Sequence, residues 1–481
     1  MKLRDLFPSV PAGQSALEVT GLTADSRLVL PGFVFFAVSG VMQNGAAFIH
    51  DALKAGAIAI VHEADVTFTS DASVAGIVVD DVRRALALTA ARFYPSQPDT
   101  IVAVTGTAGK TSVADFTRQI FASCGRQAAS LGTIGVVRSD GISYGALTTP
   151  DPVTLHATLA TLAAEGITHL AMEASSHGID QRRLDGVRLK AAAFTNLGHD
   201  HLDYHGTREV YLAAKLRLFD ALLPQDGVAV VNADAPESNA VIKTAEQRGI
   251  QVLSVGSKGR DLRLVDVSRH GFDQHLSLVW QGKAYRVTLP LAGEFQATNA
   301  LVAAGLALAV GEQPEQVFAA LGSLHGVKGR LERVATHKGG LILVDYAHKP
   351  EALEQALEAL RPFATGKLTC IFGCGGDRDR AKRAVMGAIA HQRADRVIVT
   401  DDNPRSEDPA SIRQSILAAC PGASDIGDRF EAIQAGIAIM GAGDVVLIAG
   451  KGHETGQIFA DHTMPFSDHE AVKTILAEVK P

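Results

Sequence analysis

IVAVTGTAGKTSVADFTRQIF, Ile101 to Phe121, is the stretch on which the fold turns. Ile101 to Val104 is a short β-branched run that reads as a buried strand. Thr111 to Phe121 places Val113, Phe116, Thr117 and Ile120 on one helical face. Between them lie Gly106, Thr107, Ala108 and Gly109, followed by Lys110, Thr111 and Ser112. A strand, a glycine-spaced loop and a helix opening on Lys-Thr form a phosphate-binding device. Glycines let backbone N–H groups approach an anion, and the helix N-terminus adds partial positive charge. Lys110 is expected to reach a terminal phosphate, and Thr111 to offer its hydroxyl to Mg²⁺. The ordinary P-loop carries a glycine where this chain has Val104, so the loop is a shortened variant. The plainer reading, a tight turn with an incidental lysine, does not account for the strand–loop–helix context.

Working outward, strand candidates at Thr168 to Met172, Ala191 to Thr195 and Val228 to Val231 place the loop in a mostly parallel sheet. Polar clusters follow these strands: Leu147 to Asp151, Glu173 to His177, and Asn196 to His205. Residues 258–290 read as a meander, and Ala297 to Val310 as an alanine-rich helix. This central domain, built around the phosphate loop, is placed at residues 98–327. Before it, residues 1–97 alternate strands (Phe33 to Val38, Ala57 to Val61, Gly76 to Val79) with helices (Ala46 to Ala55, Val82 to Phe93), a small α/β domain closed by two prolines, Pro95 and Pro98. After it, residues 328–481 carry strands at Leu341 to Val344, Leu368 to Phe372, Arg396 to Thr400 and Val445 to Ile448. A charged or glycine-rich loop follows each, which reads as a Rossmann-like domain. The fold class is therefore α/β in three domains.

The totals agree. A chain of 481 residues suits about three domains. A net charge of −7 argues against a nucleic-acid partner, and 5% aromatic residues leave little for a base-stacking surface. Four unevenly spaced cysteines, Cys124, Cys370, Cys374 and Cys420, suit a reducing compartment and form no zinc pattern. No run reaches the ~18 apolar residues of a membrane span, and the N-terminus has no secretory pattern. A cytoplasmic monomer without membrane insertion is expected.

Pattern alone leaves several residues open. Glu173, at a strand end in the loop's own sheet, is placed to hold Mg²⁺ beside Thr111, or is a solvated acid or cap. The stretch His199 to His205 matches no usual zinc spacing. It reads as a carboxylate–imidazole group near magnesium or as a loop of exposed histidines. Lys215, in the amphipathic run Tyr211 to Phe219, reads as a surface lysine. In the third domain Arg378 and Arg405 suit carboxylate recognition and Glu454 an ammonium, which together fit a zwitterionic amino acid.

Thr105 to Ser112, Asn299 in its apolar helix, Gly329-Arg-Leu-Glu332 and Asp345-Tyr-Ala-His-Lys-Pro350 occur in this order. With them the chain resembles the Mur ligases, ATP-dependent amide-forming enzymes of peptidoglycan precursor synthesis, over nearly its full length. Asp25-Ser-Arg27, Thr148-Thr-Pro-Asp151, Ala174-Ser-Ser-His177 with Gln181 and Arg183, and Asp200 to His205 resemble the members that add the third peptide residue. Asp402-Asn-Pro-Arg405 is similar to the signature for meso-2,6-diaminopimelate, as against lysine.

The resemblance implies roles. Gly106, Thr107, Ala108, Gly109, Lys110, Thr111 and Ser112 hold the ATP phosphates, Asn299 the adenine end, and Arg330 and Asp345 complete the nucleotide site. Ser26, Thr148, Thr149, Ser175, Gln181 and Arg183 hold UDP-N-acetylmuramoyl-L-alanyl-D-glutamate. Thr111, Glu173, His201 and Lys215 match magnesium-site positions, Lys215 as the family lysine that becomes carbamylated. This replaces its surface reading. With Lys110, the last three are the implied catalytic residues. Arg378, Asp402, Asn403, Pro404, Arg405, Gly450 and Glu454 hold diaminopimelate, whose extra carboxylate Arg405 pairs. Ala108 and Gln296 stand where the family usually has Asn, which bears on ATP affinity rather than on the reaction. The competing expectations are lysine addition, a folylpolyglutamate-type ligase, and a nucleotide-dependent binding module that makes no covalent product.

Overall fold

The computed structural model describes residues 1–8, 10–40, 44–69, 73–145, 147–198 and 200–478. The chain divides into two compact units: Met1–Val255 with Gly305–Gln313, and Gly256–Ala304 with Pro314–Pro481. It is a mixed α/β protein of three domains; the four-stranded sheet and the parallel strands of the largest sheet lie in the first unit.

The N-terminal sheet runs Gly21–Thr23, Phe33–Phe36, Ala59–His62, Ala75–Val78, all parallel. The stretch expected as one helix near Ala46 is a 3₁₀ turn, Gly45–Phe48, continued by the α-helix Ile49–Lys54. The helix Val82–Phe93 starts where Asp81 accepts from Arg84 N, and it buries Val82, Leu86, Ala87 and Ala90. In the central sheet the order is Gln251–Gly256, Val228–Asn232, Leu189–Phe194, Thr100–Thr105, His169–Glu173, Ala128–Gly132. All are parallel, and an antiparallel edge of Gly135–Arg138 and Gly141–Ser143 follows. Strands buried on both faces read as unbroken apolar runs, which is why these were legible in sequence. Ala128–Gly132, with its small residues, is not such a run.

Thr100–Thr105 lies between strands from later in the chain, so its carboxyl end opens at a point where chain direction across the sheet reverses. Ligand loops gather at such points. The helix Lys110–Ser123 then packs Val113, Phe116, Thr117 and Ile120 inward, the face expected from spacing.

In the second unit, Leu262–His270, Asp273–Trp280 and Lys283–Leu289 form the expected antiparallel meander. A six-stranded sheet has the order Glu332–His337, Gly340–Asp345, Val445–Ala449, Leu368–Phe372, Arg396–Val399, Ser424–Asp425. Only its first pair is antiparallel. The last long strand in sequence, Val445–Ala449, thus sits between Gly340–Asp345 and Leu368–Phe372, and the loops after residues 345, 372 and 449 converge. Pro350 opens the helix Pro350–Leu360 at a position where its missing N–H costs nothing. Among the described residues no helix is long and apolar enough to cross a membrane.

Candidate active site

The phosphate loop is held from several sides. Gly106 adopts φ 152, and a side chain there would collide with Thr195 Oγ1. Gly109 takes left-handed φ 85 at the helix N-cap, a conformation that costs glycine no steric strain. Asn196 Oδ1 accepts from Ala108 N at 2.9 Å, and Thr195 Oγ1 donates to Ala108 O at 2.7 Å. Lys110 Nζ lies 3.0 Å from both Gly106 O and Thr107 O, so the ammonium sits within the loop.

Lys215 reaches the same loop. The surface reading from pattern is wrong: it is 1% exposed, and its Nζ donates to Gly106 O at 2.8 Å. The helix Arg208–Arg217 carries it, one turn after Tyr211, whose ring lies 4.3 Å from Nζ. Burial foremost, then the nearby Lys110 charge, brings its pKa down to about 6. The Tyr211 hydroxyl pairs with Thr107 Oγ1 at 3.1 Å, and Gly198 N donates to the same Thr107 oxygen. Tyr211 thus ties loop, lysine and the 196–205 segment together.

Register places Glu173 beside Val104, at the root of the phosphate loop. It is 1% exposed, not a solvated acid. Its carboxylate accepts from Thr133 N at 2.7 Å and Thr133 Oγ1 at 3.3 Å. A Cβ at Gly132 would fall against the Glu173 carboxyl group, 2.6 Å from its Cδ. Gly132→Ala is therefore expected to displace Glu173 and lower kcat/KM for ATP by roughly 10- to 100-fold. Steady-state kinetics beside an unchanged melting temperature checks this.

His201 holds a left-handed φ of 55 at the N-cap of Leu202–His205, a conformation rare for a side-chain-bearing residue. Its ring lies 4.8 Å from that of His177 and 6.1 Å from Tyr211. His205 is buried, not exposed, and burial holds it and His177 below the ordinary imidazole pKa. His199 lies outside the described residues. Among the described residues no cluster of three or more His, Cys, Asp or Glu could hold a metal unaided. One carboxylate and one hydroxyl at a phosphate loop still suit Mg²⁺, which keeps waters and takes phosphate oxygens as ligands.

Five of the six expected nucleotide-sugar-dipeptide residues come together. Thr148 and Thr133 hydroxyls lie 3.0 Å apart. Thr149 Oγ1 donates to Glu173 O at 3.0 Å and accepts from Ser175 N at 3.1 Å. Arg183 donates to Thr149 O and to Gln181 Oε1, each at 2.7 Å. This chain of contacts runs directly into the Glu173 strand end. Ser26 stands apart, on the 3₁₀ turn Ser26–Leu28 of the N-terminal domain.

In the second unit Asn299 Nδ2 donates to Gln296 Oε1 at 3.1 Å, leaving Gln296 Nε2 buried with no partner among the described residues. Arg330 Nε is likewise buried without a partner, and its guanidinium lies 4.9 Å from the Tyr346 ring centroid. Unmet donors of this kind fit a ligand rich in acceptors, as a nucleotide is. Asp345 instead organises backbone: it accepts from Leu331 N at 2.6 Å and Ala347 N at 2.7 Å. Burial raises its pKa against the opposing pull of Arg330.

The converging loops enclose a cavity of about 680 Å³. Arg378, Asp402, Asn403, Arg405, Gly450 and Glu454, all expected from sequence, line it. Pro404 does not; its carbonyl packs on Gly376. Arg405 stands in left-handed backbone, φ 51, with its guanidinium 3.0 Å from Gly376 O. Tyr346, His348 and Lys382 line the cavity too and were missed. His348 Nδ1 faces Tyr346 O at 2.9 Å, which fixes the proton on Nδ1. Thr133, Asn196, Tyr211 and Gly132 were missed as well, because each acts through a neighbour and none carries a motif.

Comparison with known proteins identifies the family. The Mur ligase family, catalytic domain, matches residues 18–94, the Mur ligase middle domain residues 104–307, and the Mur ligase, glutamate ligase domain residues 329–452. A UDP-N-acetylmuramoyl-L-alanyl-D-glutamate--2,6-diaminopimelate ligase of Bradyrhizobium diazoefficiens is 55% identical over 99% of each chain. That of Agrobacterium fabrum is 53% identical over 100% of this chain and 99% of its own. A solved structure of a ligase with the same name superposes with a TM-score of 0.77 at 32% identity, covering 99% of both chains. A folylpolyglutamate synthase of Mycobacterium tuberculosis is alike in fold alone, with TM-score 0.60, 19% identity and coverage of 76% of this chain and 92% of that one.

Proposed function

The chain belongs to the Mur ligase family, and from that premise we propose that it joins meso-2,6-diaminopimelate to UDP-N-acetylmuramoyl-L-alanyl-D-glutamate with ATP. The observation that carries the amino-acid choice is the cavity with Arg378 and Arg405 beside Glu454: cations for carboxylates and a carboxylate for an ammonium. Lysine lacks the far carboxylate and would leave Arg405 without its counter-ion.

The glutamyl carboxylate first attacks the γ-phosphorus of ATP; the bond to the β,γ-bridging oxygen breaks, ADP is the leaving group, and an acyl phosphate forms. Lys110 and the loop N–H groups offset charge on the transferring group. The diaminopimelate amine, in its neutral form, then attacks the acyl carbon; the C–N bond forms, the nitrogen gives up one proton to solvent or the departing phosphate, the C–O bond to phosphate breaks, and phosphate leaves. Thr111, Glu173, His201 and Lys215 would hold Mg²⁺, which supplies charge neutralisation at the phosphates. Thr148, Thr149, Ser175, Gln181 and Arg183 would orient the nucleotide-linked dipeptide, with Ser26 at its uridine side. Gln296, Asn299 and Arg330 would offer donors to the base and ribose of ATP.

An amino-acid panel with ATP and the nucleotide-linked dipeptide tests the reading. ADP release is expected with meso-diaminopimelate at least about 10³-fold more efficiently than with lysine, as for a site built to pair a missing polar group. Mass spectrometry should find the new amide. Lysine turnover of equal efficiency, or ADP release without the dipeptide, overturns it.

A further inference from the structure

Buried lysines are rare unless paired. The chain has a second one besides Lys215: Lys451, fully buried, outside every role described above. Lys451 Nζ donates to Asn403 Oδ1 at 3.0 Å and to Glu454 Oε2 at 3.2 Å. Asn403 Oδ1 accepts a second bond, from Ile458 N at 2.9 Å. Two donors on one atom identify it as the amide oxygen, so the amide cannot be turned around. Asn403 Nδ2 must then point to Glu454, and it donates to Oε2 at 3.0 Å. Glu454 Oε2 is thus taken twice, while the residue lines the cavity with a third of its side chain open.

Charge adds a second constraint. Arg429 and Asp468 are both fully buried and pair with each other through bonds of 2.7 and 2.8 Å. That leaves the Lys451 ammonium among two carboxylates, those of Glu454 and the buried Asp402.

We propose that Lys451 is a positioning residue for amino-acid recognition: it orients the Asn403 amide and holds one oxygen of Glu454, so that the other is presented to a substrate ammonium. This rests on reading the cavity as the diaminopimelate site.

Lys451→Met keeps the stem and removes the ammonium. The expected result is a rise of about 30-fold in KM for meso-diaminopimelate, as for loss of a charge-assisted hydrogen bond. The KM values for ATP and the dipeptide should stay within about twofold and kcat within about threefold, since the Lys451 ammonium bonds Asn403 and Glu454, residues of the amino-acid cavity. An unchanged diaminopimelate KM, or a parallel rise in all three, overturns the proposal. Should Lys451→Met not fold, the pair Glu454→Gln and Lys451→Met/Glu454→Gln decides. If the lysine acts through Glu454, the second change adds less than about threefold to KM; a full further loss means it does not. The parent enzyme separates the two readings: no amide from diaminopimelate overturns the assigned substrate and this role with it, whereas turnover by the parent with insensitive variants overturns only the role of Lys451.

Discussion

Exchange of Lys215 for methionine is expected to lower kcat by about 10²- to 10³-fold, the range seen when one preorganised charge-stabilising group is removed. The stem stays, so packing against Tyr211 survives and the loss isolates the amine. The basis is geometric: a nearly inaccessible amine 2.8 Å from Gly106 O and close to the Lys110 charge. With a pKa brought to about 6 by burial, the amine is neutral near pH 7, the form that adds CO₂. A carbamate at Nζ keeps one N–H for Gly106 O and gains oxygens in the neighbourhood of Lys110. Bicarbonate labelled with ¹³C should therefore give a carbamate resonance in the parent that Lys215→Met lacks. Full activity in the variant, or an active parent without that resonance, would refute this role.

Stability follows the same group with a definite sign. The unfolded chain protonates Lys215 below about 10.5, the native protein only below about 6. Acidification through this window favours the unfolded state. Lys215→Met should accordingly lose less stability than the parent between pH 9 and pH 6, which denaturant titrations at the two pH values can read.

Arg405→Ala is expected to reduce kcat/KM for meso-diaminopimelate by about 10²- to 10⁴-fold and to bring lysine within about 10-fold of it. Arg405 is held with unusual care. Its backbone is left-handed, its N–H donates to Ile458 O at 2.9 Å, and its guanidinium lies where a Cβ on Gly375 would stand, 2.7 Å from Nη1. Asp377, also left-handed, accepts from Ser406 N and Oγ at 3.1 and 2.6 Å and so clamps the next residue. Strain of this sort, of order 1–3 kcal/mol per residue, persists where neighbours over-determine it. Arg405→Lys should rescue poorly, because an ammonium lacks the planar fork. Competition between the two amino acids, resolved by mass spectrometry of the products, measures the preference. Retention of the parent's preference in Arg405→Ala would reassign selectivity to Arg378 or another lining residue.

Apolar strands with polar ends made most of the parallel strands legible, and a glycine-spaced loop before Lys110 marked the candidate nucleotide site. The losses have physical causes. Ala128–Gly132 was missed because its small residues fit the crowded interior yet carry no β-branched signal. Glu332–His337 is a half-buried edge strand whose pairing partner, not its composition, makes it a strand. Lys215 shows the same limit for sites: its helix is amphipathic, and periodicity says which face is apolar without saying what lies above a given residue.

Composition, periodicity and motif spacing were thus enough for the α/β class, the phosphate loop and the residues gathered at strand ends, because these depend on local backbone needs and on burial of strand faces. Tertiary structure alone decided which groups share an environment. It buried the Lys215 amine against Gly106, pressed Gly132 against Glu173, and put Lys451 under Asn403 and Glu454. Desolvation and hydrogen-bond direction depend on what surrounds a side chain, and residues far apart in the chain supply those surroundings.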